Sequence, residues 1–238
     1  MSQIITNRIT KRRIFGRSKG KKLSQKQQEY FDKFSKTYSL FNNGISGGLK
    51  PKLKKLLGVE VLTSNVVLEV GFGSGEHIVL QAKKMPNTFF IGCEQYKNGV
   101  AKLLGQIDVC NISNIAIHYG DARDALDNLP NNCIDKFYLL FPDPWPKKKH
   151  ASRRFINKEN LDQISRVLKC NGLLYIASDI EEYSAHVLEH IFCQKDFLWT
   201  AQNKNDWSKP WDSSNTTRYE QKAILEGRVP HYLVFKKR

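Results

Sequence analysis

The sequence predicts an α/β protein built on a mostly parallel sheet that is buried on both faces. Short, continuous apolar runs alternate along the chain with segments of helical periodicity. Continuous rather than alternating apolar strands are typical of a parallel sheet covered by helices on both sides. A chain of 238 residues with a hydrophobic share of 40% can bury such a core.

The periodicity assigns six strands and four long helices. The predicted strands are 65–70, 88–94, 115–119, 134–141, 173–178 and 231–237. The predicted helices are 76–85, 97–109, 157–169 and 181–192. Gly99 and Gly105 lower the helix propensity of the second helix. Asn157 is a predicted N-cap of the third helix, and Asn171-Gly172 is expected to end it.

The net charge of +15 is concentrated at the amino end. Residues 1–55 contain 15 Lys and Arg against 2 acidic residues, whereas the remaining residues contain 23 against 21. The first 26 residues contain nine cations and no acid, so they cannot bury enough apolar surface to fold alone. We expect a polyanion-binding arm, with a solubilising tail or a membrane-surface patch as alternatives. The predicted division is a basic arm with a lead-in helix over 1–57 and one domain over 58–238.

Several other classes of protein fit the sequence poorly. No apolar run is long enough for a membrane span, and the start lacks the apolar segment of a secretory signal. The five cysteines are scattered and form no C-x-x-C pair, so we expect reduced, buried thiols in a cytoplasmic protein. His186 and His190 have the spacing of helical metal ligands, but no third ligand is obvious, so we expect no metal.

Carboxylates lie at or just after the predicted carboxyl ends of five strands. They are Glu69, Glu94, Asp121, Asp143 and Asp179. Parallel sheets bind their ligands outside these strand ends. Because the chain as a whole is basic, with a pI of about 9.6, we interpret this concentration of acids as a binding site.

The first strand ends in EVGFGSG, which places glycines at Gly71, Gly73 and Gly75. The spacing departs from the dinucleotide fingerprint G-x-G-x-x-G, and no Walker lysine follows, so a pyrophosphate is not indicated. Glu69 in front of the loop would instead attract a cationic ligand.

Two further acids limit the classes of ligand that the site could bind. Glu94 follows the glycine loop where Rossmann-like folds bind ribose hydroxyls, and Asp121 can accept a hydrogen bond from the amine of adenine. An adenosine that carries a positively charged sulfonium matches these acids, and that molecule is S-adenosylmethionine.

Residues 141–150 read FPDPWPKKKH. Pro142 and Pro144 restrict the backbone on both sides of Asp143 and keep its carboxylate in one direction. The lysines that follow are typical of contacts with nucleic-acid phosphates. Taken singly, a helix-capping Asp and a solvated lysine face are the alternatives.

These motifs together resemble one known family. EVGFGSG, GCE, GDA, FPDPWPKKKH and TRYE at 217–220 resemble the bacterial tRNA (guanine-N7)-methyltransferases of the TrmB type, over nearly the whole chain. The resemblance implies a Rossmann-like class I S-adenosylmethionine-dependent methyltransferase, with a seven-stranded, mostly parallel sheet whose last strand is antiparallel. It also implies methylation at N7 of the variable-loop guanosine, position 46, of tRNA.

The resemblance also implies roles for single residues. Asp143 is the expected catalytic residue. The expected cofactor-binding residues are Glu69, Gly71, Gly73, Gly75, Glu94, Asp121 and Asp143. The expected substrate-binding residues are Lys147, Lys149, His150, Ala151, Ser152, Arg153, Arg154, Asp179, Thr217, Arg218, Tyr219 and Glu220. Trp145 has two open roles, stacking on the guanine or packing under the loop. We expect a monomer or homodimer without an obligate protein partner.

Three other functions fit the sequence less well. Exocyclic-amine methyltransferases typically end the fourth strand in D/N-P-P-aromatic, whereas the order here is P-D-P-W. A non-catalytic RNA-binding protein would not need the set of acids. Aminopropyl transfer to a polyamine fits poorly, because the basic arm would repel a polycation.

Overall fold

The computed structural model describes residues 15, 16, 18, 20–57, 65–211 and 217–238. The strands of its sheet are β1 (Asn65–Val70), β2 (Thr88–Glu94), β3 (Ile115–Tyr119), β4 (Ile134–Leu140), β5 (Leu168–Ser178), β6 (Phe197–Trp199) and β7 (His231–Lys237). The helices are α1 (Gln25–Phe34), α2 (Pro51–Leu57), α3 (Glu76–Lys84), α4 (Lys97–Val109), α5 (Ala122–Asn128), α6 (Lys158–Val167), α7 (Glu181–Cys193), α8 (Asn205–Ser208) and α9 (Arg218–Leu225). Short 3-10 helices cover Ile45–Gly47 and Lys148–Arg153.

The sheet has the strand order β3-β2-β1-β4-β5-β7-β6. Strands β1 to β5 pair in parallel, and β7 runs antiparallel between β5 and β6. The expected seven-stranded, mostly parallel sheet with an antiparallel last strand is therefore confirmed. The strand order changes direction between β1 and β4, and this switch point is where open α/β sheets bind ligands.

The core lies on both faces of the sheet. Side chains of β1 alternate between two apolar clusters, with Leu68 in one and Val67 in the other. Five of the six residues of β1 are buried. This burial on both faces explains why the strand reads as a continuous apolar run rather than an alternating one.

The structure corrects the boundary after the third predicted helix. Helix α6 ends at Val167 and β5 begins at Leu168, so Asn171-Gly172 lies inside a strand and does not end the helix. The register between β4 and β5 shifts there, and Asn171 adopts a positive φ of 64°. The Asn-Gly pair therefore forms an irregularity within the sheet, which the same turn-forming chemistry permits.

The lead-in segment is attached to the sheet edge next to β3. Ile117 donates a backbone hydrogen bond to Tyr38 and accepts one from Leu40, at 2.6 Å and 2.8 Å. The side chain of Leu40 is fully buried. Helix α1 packs against α4, where Gly105 lies beside the ring of Tyr30. The division after residue 57 stays a prediction, because 58–64 and most of the basic arm (1–14, 17 and 19) lie outside the described residues.

The cysteines differ in their exposure to solvent. All five cysteines are free, but Cys170 and Cys193 are exposed, so the expectation of buried thiols is wrong for these two. Cys93 and Cys133 are buried as expected. No helix in the described ranges combines the length and the apolarity that a membrane crossing requires.

Candidate active site

Two adjoining cavities open at the carboxyl ends of the central strands. The first has a volume of about 150 Å³ and lies at the ends of β1, β2 and β3, with Glu94 and Asp121 in its wall. The second, of about 250 Å³, lies at the ends of β1, β2 and β4 and is lined by Gly73, Asp143 and Tyr219. Glu94 lines both cavities, so they form one site at the predicted switch point.

The glycine loop has the backbone that its sequence predicts. Gly71, Gly73 and Gly75 have φ angles of 74°, 57° and 87°, a region that favours glycine. A Cβ atom on Gly71 would meet no atom within 4 Å, whereas one on Gly75 would lie 2.7 Å from Leu103. Gly71 therefore leaves open space for a ligand beside the backbone, and Gly75 permits close packing of α4.

Glu94 joins the glycine loop to the end of β2. Its Oε2 accepts a hydrogen bond from the backbone amide of Gly73 at 2.8 Å. Its Oε1 accepts from the amides of Gln95 and Tyr96 at 2.8 Å and 2.9 Å. Burial raises the pKa of Glu94, and these three hydrogen bonds offset part of that increase. The carboxylate is thus fixed in direction, and Oε2 keeps acceptor capacity for a hydroxyl donor.

The other two acids of the expected cofactor group are held by basic side chains. Glu69 is buried, and its Oε2 lies 2.7 Å from Nδ1 of His77. Asp121 caps α5 by accepting from the amide of Arg123 at 2.9 Å, and it also pairs with that guanidinium. Asp121 lines the first cavity, whereas Glu69 lines neither cavity. Their roles toward a cofactor stay predictions.

The loop that carries Asp143 is held in an unusual backbone conformation. Phe141 and Trp145 both adopt positive φ angles, 49° and 43°, which are uncommon for residues other than glycine. Between them, Pro142 and Pro144 restrict φ as the sequence predicts. Desolvation by the surrounding residues raises the pKa of Asp143 above its ordinary value.

Arg154 stabilises the loop that carries Asp143 by binding its backbone carbonyls. Its Nε donates to the carbonyl of Pro144 at 3.0 Å, and its Nη2 lies 3.4 Å from the carbonyl of Trp145. Because the guanidinium also lies over the ring of Tyr183, Arg154 is directed toward the protein. Of the basic residues in this stretch, Lys147 to Lys149 are exposed and remain available to a ligand outside the cavities.

The remaining residues of the predicted RNA-contact stretch lie on the short 3-10 helix Lys148–Arg153. His150 and Ala151 are half-buried, and the ring of His150 packs edge-on against Trp145 at 5.8 Å. Ser152 and Arg153 line the first cavity. The helix therefore joins the exposed lysines to the wall of the site.

The TRYE motif begins α9 and lies over the glycine loop. Thr217 and Glu220 form a capping box, and Glu220 is also hydrogen-bonded to the hydroxyl of Tyr232 in the core. The Nη1 atom of Arg218 lies 3.4 Å from the Oγ of Ser74. Tyr219 is largely exposed, but its ring lines the second cavity. Of the four motif residues, only Tyr219 therefore lines one of these two cavities.

Asp179 lies at the end of β5, outside both cavities. Its Oδ2 is 2.5 Å from the Nε of Arg228, which also pairs with Glu226.

A cluster with metal-ligating potential lies on α7, where His186, Glu189 and His190 offer ligand atoms within 4.8 Å of one another. Glu189 is the third ligand that was not obvious from the sequence, and none of the three lines either cavity.

Sequence reasoning missed several residues that shape the site. Phe15 and Gln95 line both cavities, and Arg123 lines the first. His77 holds Glu69 from the next helix. These contacts join segments distant in sequence or depend on rotamers, so no local pattern could have revealed them.

The fold and this site define a class of enzymes, the class I S-adenosylmethionine-dependent methyltransferases. The structure is similar to that of the 16S rRNA methyltransferase KamB, with a TM-score of 0.57, 11% identity, and coverage of 80% of this chain and 94% of that one. It is also similar to an antibiotic-related methyltransferase, with a TM-score of 0.52, 16% identity, and coverage of 79% and 93%. The expected fold class is confirmed.

The sequence comparisons identify the family. Residues 63–233 match the family described as "Putative methyltransferase". The tRNA (guanine-N(7)-)-methyltransferase of Roseobacter denitrificans is 43% identical over 94% of this chain and 95% of its own length. The corresponding protein of Paracoccus denitrificans is 42% identical over 96% of both chains. This chain belongs to the family of bacterial tRNA (guanine-N(7)-)-methyltransferases, as its motifs suggest.

Replacing Glu220 distinguishes a structural role from substrate contact. We expect Glu220→Ala to lower the free energy of unfolding by about 1–3 kcal/mol, because it removes a helix cap and leaves the buried Tyr232 hydroxyl without this partner. Urea denaturation measures the change. Gln221→Ala, an exposed change on the same helix, should have almost no effect. Equal stabilities of the two variants would contradict the structural role.

Proposed function

We propose that this chain transfers the methyl group of S-adenosylmethionine to N7 of a variable-loop guanosine of tRNA, at position 46. The observation that carries the proposal is the convergence of the glycine loop, Glu94 and Asp143 on two cavities that share a wall. Membership of the family supports the reaction and the substrate class. The position within the tRNA is what the resemblance of the sequence motifs to this family implies.

The residues of the first cavity fit an adenosine ligand. Open space lies beside Gly71, and the Glu94 carboxylate is fixed at the strand end where ribose hydroxyls bind in related folds. Asp121 offers a further acceptor at the end of β3. When bound, S-adenosylmethionine supplies an electrophilic methyl group on a positively charged sulfur. The acids around the site favour a ligand of that charge.

The chemistry requires positioning more than proton removal. Guanine N7 carries a free lone pair and no proton at neutral pH, so no strong base is needed. The protein therefore contributes mainly by holding the base in line with the methyl group. The product ring is cationic, and the Asp143 carboxylate, held in the second cavity, stabilises this charge as it develops. The same carboxylate can accept hydrogen bonds from the N1–H and amine of the guanine.

The basic residues beside the cavities serve the RNA backbone. Lys147 to Lys149 are exposed next to the Asp143 loop, and Arg153 lines both cavities. Phosphates of the strand that carries the guanosine would bind this cluster. The expectation that the arm over 1–26 adds further attraction falls mostly outside the described residues.

A labelling experiment tests the reaction. Incubation with bulk tRNA and cofactor carrying a labelled methyl group should yield labelled 7-methylguanosine in tRNA. Digestion and mapping should place it in the variable loop. Label in adenosine or in an exocyclic amine would contradict the proposal, as would the absence of any transfer by folded protein.

Glu94→Ala tests the assignment of the cofactor site. Loss of this charged hydrogen-bonding partner should weaken S-adenosylmethionine binding by about 1.5–3 kcal/mol and leave tRNA binding unchanged. Calorimetry with the cofactor alone measures the first effect, and a filter-binding assay measures the second. Glu159→Ala removes an exposed acid of α6 and is the control. Unchanged cofactor affinity in Glu94→Ala would contradict the assignment.

Asp143→Asn tests the catalytic assignment. The change keeps the size of the side chain and removes its charge, so kcat should fall by about 100-fold or more while tRNA affinity is retained. Because the pKa of Asp143 is raised, wild-type kcat should decline on acidification at a pH above that at which an ordinary aspartate protonates, about 3.9. The variant should lack this decline. Asp108→Asn, an exposed change on α4, should behave as wild type. Near-native kcat in Asp143→Asn would move the role to another acid.

A further inference from the structure

The end of the basic arm lies across the mouth of the site. Gln95 donates a hydrogen bond from its Nε2 to the carbonyl of Phe15 at 2.7 Å. Asn98 donates from its Nδ2 to the carbonyl of Lys21 at 2.8 Å. Gln95 directly follows Glu94, and Asn98 lies in the first turn of α4. The described residues of segment 15–21 are therefore anchored beside the Glu94 carboxylate.

Phe15 and Trp145 both contact Arg153 and also contact each other. The Arg153 guanidinium carbon lies 5.1 Å from the ring centroid of Phe15 and 4.9 Å from that of Trp145. The two rings meet at 76° with centroids 6.4 Å apart. Each contact has the distance of a cation–π interaction. Three segments, the arm, the Asp143 loop and the short helix Lys148–Arg153, thus meet at one guanidinium.

The backbone next to Phe15 passes close to the proposed catalytic carboxylate. Gly16 has a φ of 98°, and a Cβ atom there would lie 2.8 Å from Oδ2 of Asp143 and 2.7 Å from Nε2 of Gln95. A side chain at position 16 would displace the ends of these two side chains, and the positive φ itself favours glycine. Phe15 therefore lines both cavities, and Gly16 lies within contact distance of the Asp143 carboxylate.

We propose that Phe15 is a positioning residue for methyl transfer, which holds Arg153 against Trp145 and thereby fixes the loop that carries Asp143. Arg154 restrains the carbonyls of this loop, and Arg153 restrains the indole two residues after Asp143. Without Phe15, the guanidinium loses one of its two cation–π contacts and can leave Trp145. The expected effect on kcat rests on the proposed function. The contact of Phe15 with Arg153 and Trp145 can be tested without measuring methyl transfer.

The kinetic test compares Phe15→Leu with Phe15→Tyr. Leucine keeps apolar bulk but offers no ring face, so kcat with tRNA should fall by about tenfold or more, as small misplacements in an active site cause. Tyrosine should restore kcat to within about twofold. Phe192→Leu changes a largely exposed phenylalanine on α7 and should leave kcat unchanged. A wild-type kcat in Phe15→Leu would overturn the proposal. A rise in kcat would also overturn it, because it would show that the Phe15 ring obstructs the site.

A double-mutant cycle separates positioning from general stability. Arg153→Met keeps the length of the side chain and removes the cation. If Phe15 acts through Arg153, the Phe15→Leu change should cost little further activity in the Arg153→Met background. Multiplication of the two separate losses would show independent roles and overturn the proposal. Thermal melting of all variants should agree within a few degrees, because Phe15 lies outside the main core.

Fluorescence tests the contact independently of the reaction. Phe15→Leu should shift the tryptophan emission of the free protein, and the shift should disappear in the Trp145→Phe background. Phe15→Tyr should give a smaller shift. If wild-type protein fails to methylate tRNA, the proposed function is wrong, but this measurement still decides whether Phe15 packs beside Trp145. The same emission in Phe15→Leu and wild type would overturn the arrangement.

Discussion

The pairing of β1 between β2 and β4 determines where each candidate residue of the site lies. Val70 pairs with Cys93 on one side and with Leu139 on the other. All three strands are parallel, so their last residues meet at one edge of the sheet. The glycine loop, Glu94 and the Asp143 loop each follow one of these strands directly. A slip of one residue would turn buried side chains toward the wrong face, which the apolar clusters on both faces prevent.

Glu94 carries this arrangement from the sheet into the loops. Its carboxylate binds the amide of Gly73 on one side and the amides of Gln95 and Tyr96 on the other. Gln95 in turn binds the end of the basic arm. This half-buried charge is therefore satisfied by backbone donors from the glycine loop and from the connection after β2. This satisfaction offsets the cost of burying the charge and explains why the carboxylate can be fixed before any ligand arrives.

Much of the fold could be predicted because its signals are local. Each long predicted helix and each predicted strand exists, and the short runs that were missed, such as Phe197–Trp199, are too brief to show a period. The Asn171-Gly172 pair misled the prediction because the same backbone chemistry serves a helix end and a strand irregularity. The acids at the strand ends could also be predicted, because a parallel sheet brings the carboxyl ends of its strands to the same edge. The partners that hold them could not, because the pairs Glu69–His77 and Asp179–Arg228 depend on side-chain placement.

The distribution of charge explains how a basic protein can build an acidic site. Glu94 is largely withdrawn from solvent and lines both cavities, so its field acts mainly on a ligand inside them, whereas Glu69 is buried against His77. The lysines from Lys147 to Lys149 are exposed, and their attraction reaches a polyanion from a distance of about one Debye length, roughly 8 Å at physiological salt. Arg153 lies at the boundary, where it lines both cavities and contacts the rings of Phe15 and Trp145. One surface can therefore bind both a cationic cofactor and an anionic nucleic acid. The cofactor meets the acids inside the cavities, and the nucleic acid meets the exposed lysines outside them.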